Sequence, residues 1–129
     1  MKLKFKLFSS EGASFERAAE KVIVRTSDGE ICILPDHAKY FSDLVEGRIK
    51  VDEAVIYTDS GFLSVKDNEV KVFVGIAYNL DEIKGSDIDE KINEFSSIPE
   101  EKKTLYIKKK IEFLKRLKEH LKRTSPHPS

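Results

Sequence analysis

The chain has one cysteine, no tryptophan, four prolines and no long apolar run. Each scarcity excludes something. A single thiol, Cys32, leaves no internal disulfide and no multi-cysteine metal site, and a lone thiol flanked by apolar residues is expected to fill core rather than act as a nucleophile. No stretch approaches the roughly 20 apolar residues that span a bilayer, and 1–6 alternate instead of forming a signal-peptide core, which leads to an expected cytoplasmic location. Also missing are Gly-x-Gly-x-x-Gly, a Walker-type phosphate loop, Gly-x-Ser-x-Gly and His-Glu-x-x-His. Of the three histidines, only His37 sits in a suggestive loop, and it has no set of Cys, Asp or Glu around it. The expectation is a protein that is not an enzyme and carries no cofactor.

What is present is a modest core and a split charge. Apolar residues make up 40% and charged residues 36% of 129, enough for one substantial core and a small appendage. Residues 101–129 hold ten Lys/Arg against three Asp/Glu, a surplus of +7, so the remainder carries −7 in a chain of zero net charge. The C-terminal end is thus a basic module that suits an acidic partner.

The first eighty or so residues have the signals of strands. Lys2 to Phe8 alternates, with Leu3, Phe5 and Leu7 on one face. Further strands are expected at 21–25 and 31–34, separated by Ser27-Asp28-Gly29 and stopped by Pro35. The clearest hairpin is 62–74: a two-residue Asp67-Asn68 loop places Lys66 opposite Glu69, Val65 opposite Val70 and Leu63 opposite Val72. Such short strands point to a sandwich or barrel.

Near residue 80 the period changes. Ser86-Asp87-Ile88-Asp89 and Ser97-Ile98-Pro99-Glu100 have the form of helix starts, with a serine to cap and an acid three residues on. A helix over about 87–95 aligns Ile88, Ile92 and Phe95. A second over about 99–123 aligns Ile107, Ile111, Leu114, Leu117 and Leu121, with Tyr106 and Phe113 flanking. Its cations fall into two adjacent rows: Lys108, Lys115 and Lys122, and Lys109, Arg116 and Arg123. The expected architecture is α+β: an N-terminal β-sandwich, or flattened barrel, over 1–84, an antiparallel helical hairpin over 85–124, and a disordered tail over 125–129.

The stretch Asp28-Gly29-Glu30-Ile31-Cys32-Ile33-Leu34-Pro35-Asp36-His37-Ala38 resembles the signature of the epsilon subunits of bacterial F-type ATP synthases, a Gly-rich "DGE-I-G-ILP-G-HA" followed by a turn glycine, here Gly47. Ser60-Gly61-Phe62-Leu63-Ser64-Val65 and Asn68-Glu69-Val70-Lys71-Val72 are similar to that family's second hairpin. The resemblance implies a non-catalytic rotor-stalk subunit on the cytoplasmic face of the bacterial inner membrane, touching the membrane only through the complex. It implies that the sandwich binds the gamma subunit and meets the c-ring through Glu30, Leu34, Pro35 and His37. It also implies that the helices restrain ATP hydrolysis in the catalytic alpha/beta head, with Lys108, Lys109, Lys115, Arg116, Lys122 and Arg123 facing an acidic segment of beta. Two family glycines are replaced, by Cys32 and Asp36, which removes backbone permissiveness there. Some members bind ATP through Ile/Leu-Asp-x-x-Arg-Ala. Ile88 and Asp89 retain its first two positions and Lys91 is a nearby cation, but Ile92 and Asn93 stand where arginine and alanine would be, so no ATP binding is expected. The alternative function is a small nucleic-acid-binding module using the basic helix, disfavoured because that helix lacks interleaved aromatics for base stacking.

Overall fold

The computed structural model describes residues 2–124. The tail at 125–129, expected to be disordered, lies outside the described residues. The chain divides into two compact units, Met1–Glu82 and Ile83–Ser129.

The first unit holds ten strands: β1 (Leu3–Ser9), β2 (Ser14–Ala19), β3 (Val22–Thr26), β4 (Gly29–Ile33), β5 (Tyr40–Leu44), β6 (Gly47–Val51), β7 (Ala54–Thr58), β8 (Gly61–Lys66), β9 (Glu69–Val74) and β10 (Ala77–Asn79). They form two five-stranded sheets, β2-β1-β9-β8-β5 and β10-β7-β6-β3-β4. All pairings are antiparallel except β1 with β9. The alternation read along β1 is the observed one, with Leu3, Phe5 and Leu7 buried. They join Val22, Val24, Ile33, Leu63, Val65, Val70 and Val72 in one core cluster. Strands β1, β3, β8 and β9 bury every second residue because successive side chains leave a pleated strand on opposite sides.

The β8–β9 hairpin has the expected register, Lys66 with Glu69, Val65 with Val70 and Leu63 with Val72. Asp67 and Asn68 take φ of 51° and 61°, the left-handed pair that a two-residue hairpin of this kind requires. Gly61 opens β8 where a Cβ would fall 2.0 Å from Phe73 O, so only glycine lets the strands close there. Cys32 departs from expectation. It is exposed on the edge strand β4, because alternation turns Ile33 inward and its neighbour outward.

The second unit contains α1 (Gly85–Ser96), a single 3-10 turn (Glu100–Lys102) and α2 (Leu105–Thr124). Both helix starts differ from the sequence reading. At α1 the capping residue is Lys84, whose backbone N–H donates to the Asp87 carboxylate at 3.0 Å. Ser86 lies inside the first turn. The second helix begins six residues later than expected, since Lys103 is extended and breaks the chain after the 3-10 turn. Thr104 then supplies a new cap, its Oγ1 accepting from Ile107 N–H at 3.2 Å. Glu100 ties the two pieces together through Lys108 at 3.3 Å and Lys103 at 3.4 Å. On α2, Ile111, Leu114 and Leu117 are buried, and so is Phe113, read from the sequence as merely flanking; Tyr106 is half exposed. On α1 only Ile88 is fully buried.

Candidate functional site

Three surfaces carry the residues singled out above. The first is the 34–37 turn. His37 N–H donates to Leu34 O at 3.1 Å, and Pro35 and Asp36 occupy the two central positions. Leu34 is 51% exposed and Glu30 is exposed on β4, so both point away from the core. His37 packs edge-on against Tyr40, ring centroids 6.1 Å apart, and Nδ1–H donates to Ala38 O at 2.7 Å. That pairing directs the ring and leaves it partly open to solvent. The structure therefore brings Leu34, Pro35 and His37 onto one short turn, with Glu30 at the start of the strand that leads into it.

The second surface lies on the outer face of the sheet β2-β1-β9-β8-β5, and sequence reasoning missed it. Register lines up Phe8 with Phe73 and Phe73 with Phe62 on three neighbouring strands. Phe8 and Phe73 stack at 5.4 Å with an interplanar angle of 17°. Phe62 is 68% exposed and Phe41, one row on, is 66% exposed. Four phenylalanines on the solvent side of one sheet make a contiguous exposed apolar patch, the kind of surface that suits a protein partner. The signal was available: the hairpin register that pairs Leu63 with Val72 also pairs Phe62 with Phe73. The row ends at Asp43, opposite Phe62. Ser27 and Ser42 hydroxyls donate to Asp43 at 2.9 and 3.1 Å, and the Ser27 bond above all holds this carboxyl below the usual range. At the other end of this face, opposite Lys66, Glu69 is lowered by its hydrogen bond to Lys71 at 3.0 Å and by Lys6 at 3.5 Å. An apolar patch rimmed by fixed charges is the composition of a protein interface.

The third surface is α2. Lys108, Lys109, Lys115, Arg116, Lys122 and Arg123 are all exposed. At 100° per residue, however, Glu112 and Glu119 fall between the two cation rows. They pair with Lys115 at 3.7 Å and Lys122 at 3.8 Å. The basic strip is thus threaded by an acidic row, though α2 keeps eight cations against two acids. Between α1 and α2 runs a cleft lined by Asp89, Ile92, Asn93, Lys115, Lys118, Glu119 and Lys122. Of the residues carried over from the nucleotide motif, Ile88 is buried and Asp89 is bound by Lys118 at 2.6 Å. Lys91 is not among the residues lining the cleft. Lys110 lies over the Phe95 ring at 5.1 Å, a second tie between the helices.

Among the described residues no group of three or more His, Cys, Asp or Glu could hold a metal ion, and no helix is long and apolar enough to cross a membrane.

These features coincide with known proteins. Residues 2–79 match the family model for the β-sandwich domain of the ATP synthase delta/epsilon chain. The chain is 31% identical over 97 residues to the ATP synthase epsilon chain of Corynebacterium urealyticum, covering 70% of this chain and 78% of that one. It is 30% identical over 88 residues to the epsilon chain of Hydrogenovibrio crunogenus, covering 65% of this chain and 58% of that one. Its fold matches a chain of the Euglena gracilis mitochondrial ATP synthase (TM-score 0.60, 18% identity, 95% of this chain and 80% of that chain). It also matches a chain from the central stalk and c-ring of the Tetrahymena thermophila enzyme (TM-score 0.52, 15% identity, 97% of each chain). With the sandwich matched almost end to end, the chain belongs to the ATP synthase delta/epsilon chain family.

Proposed function

We propose that the chain works as a non-catalytic central-stalk subunit on the cytoplasmic face of the bacterial inner membrane, coupling the catalytic head to the c-ring and restraining ATP hydrolysis through its C-terminal helices. The observation that carries this reading is the aromatic row Phe8, Phe73, Phe62 with Phe41 beside it. A folded sandwich with a complete core does not need those rings for its own stability, so their burial is reserved for a partner, and the gamma subunit is the partner proposed. The 34–37 turn with Glu30 is then the c-ring contact. The exposed cations of α2 face the acidic segment of the beta subunit, where several weak ion pairs act together.

Affinity capture tests the reading. The immobilised full chain should retain purified gamma subunit, and a chain with Phe62 and Phe73 both changed to Thr should not. Retention of RNA in place of gamma would turn the assignment toward the nucleic-acid-binding alternative.

A further inference from the structure

The 34–37 turn has proline second and a residue of φ 67°, Asp36, third. That is the pattern of a type II turn, whose third position favours glycine or asparagine. The turn's own hydrogen bond uses His37 N–H and leaves Asp36 N–H to find another acceptor. It finds Asn68. Asp36 N–H donates to Asn68 Oδ1 at 2.6 Å, and Asn68 Nδ2 donates back to Asp36 Oδ1 at 3.4 Å, joining segments 32 residues apart. Asn68 is also the second residue of the β8–β9 loop, and its carbonyl accepts from Lys4 N–H at 2.8 Å. The loop alone would be served as well by glycine at this position. What asparagine adds is a side chain that reaches across to the neighbouring turn.

We propose that Asn68 is a positioning residue that holds the 34–37 turn rigid and so presents Leu34 and His37 to the c-ring. The proposal rests on the reading of that turn as the c-ring contact. Its physical basis is preorganisation: a turn already fixed before docking loses less conformational freedom on binding, and Asp36, strained at positive φ, would otherwise relax to other conformations. The β8–β9 hairpin anchors Asn68 because its register and its place in the sheet are set by the core.

The test uses the full chain with Asn68→Gly, Asn68→Asp and Leu34→Ala. Asn68→Gly keeps the hairpin loop and should leave the melting temperature within a degree or two, by order of magnitude. Amide exchange at Asp36 and His37 should quicken roughly tenfold, as expected for loss of one net hydrogen bond. Docking onto ATP synthase membranes stripped of this chain should weaken about five- to tenfold. Asn68→Asp keeps an Oδ acceptor for Asp36 N–H but sets a second carboxylate oxygen against Asp36 Oδ1, so it should recover slow exchange and docking only in part, and in step with each other. Unchanged exchange in Asn68→Gly overturns the proposal. So does faster exchange with full docking while Leu34→Ala docks weakly, since the turn would then be a contact that needs no positioning. If Leu34→Ala also docks fully, the c-ring reading itself fails and the proposal falls with it.

Discussion

Phe62 gives the sharpest handle on the proposed gamma interface. It lies on the outer face of β8 with 68% of its surface exposed, so replacing it removes little from the fold. A phenylalanine side chain buries on the order of 200 Å², so about 140 Å² of Phe62 is available for a partner to cover. At about 25 cal/mol per Å² that is about 3.5 kcal/mol as an upper limit. Ordering and imperfect packing take part of it, leaving about 1–2 kcal/mol, or roughly five- to thirtyfold in Kd. Phe62→Thr keeps a β-branched strand former opposite Phe73 and should change folding stability by no more than about 0.5 kcal/mol. The assay pairs urea denaturation with calorimetric titration of purified gamma subunit. Phe62→Thr should show the wild-type denaturation midpoint and the weakened Kd. An unchanged Kd in both Phe62→Thr and the Phe62→Thr, Phe73→Thr double variant would refute the assignment of this face. A collapse in stability would instead show that Phe62 belongs to the core network.

Two further outcomes follow from local chemistry. Asp59 Oδ1 accepts Gly75 N–H and Ile76 N–H, both at 2.9 Å, while burial above all raises the carboxyl from its usual value. A raised folded-state value means the native state prefers the proton: the contribution is fully present below the ordinary carboxylate range and is lost as pH rises through the raised value. Asp59→Asn, which keeps the acceptor without the charge, should therefore match or exceed wild-type stability at pH 7 and lose that advantage toward pH 3, measured by thermal melts across pH. Asp59→Ala, which orphans both amides, should cost about 1–3 kcal/mol at pH 7. For nucleotide, Ile92 lines the α1–α2 cleft and Asp89 is already bound by Lys118, so calorimetry should find no ATP binding at micromolar concentrations. A micromolar site would show that the Asp89–Lys118 pair opens to admit phosphate.

The sandwich was legible where two signals agreed. At 62–74 the period-two alternation and the turn-forming Asp67-Asn68 pair each demanded the same register. Strands β6 and β7 were not separately legible, because the turn between them, Asp52-Glu53, carries charged residues in place of a glycine or proline stop; Asp52 turns at positive φ while its carboxylate takes Lys21 N–H at 3.0 Å from the β2–β3 connection. Cys32 was misjudged because an apolar run looks buried on both sides until the sheet edge is known. The late start of α2 reflects competition between two plausible caps: Pro99 opened only a 3-10 turn, and Thr104 made the hydrogen bond that starts the helix. Helical period placed the six cations of the two rows correctly on the exposed side, whereas Lys110 is buried. It was the like-spaced Glu112 and Glu119 that the reading of cations alone passed over. The aromatic face went unread since alternation was used to find what points inward, and function here lies in what points outward.

The central claim is that the basic helix unit restrains hydrolysis, and the rate of ATP hydrolysis by the reconstituted complex tests it most directly. Complexes carrying the chain truncated after Lys84 should assemble and hydrolyse ATP faster at low salt than complexes with the full chain. Changing Lys108, Lys109, Lys115, Arg116, Lys122 and Arg123 to Gln should reproduce much of the rise. Added salt should mimic it in the intact complex, because exposed pairs are screened over about 8–10 Å at physiological ionic strength. Equal hydrolysis rates at low salt for truncated and full-length chains would contradict the account.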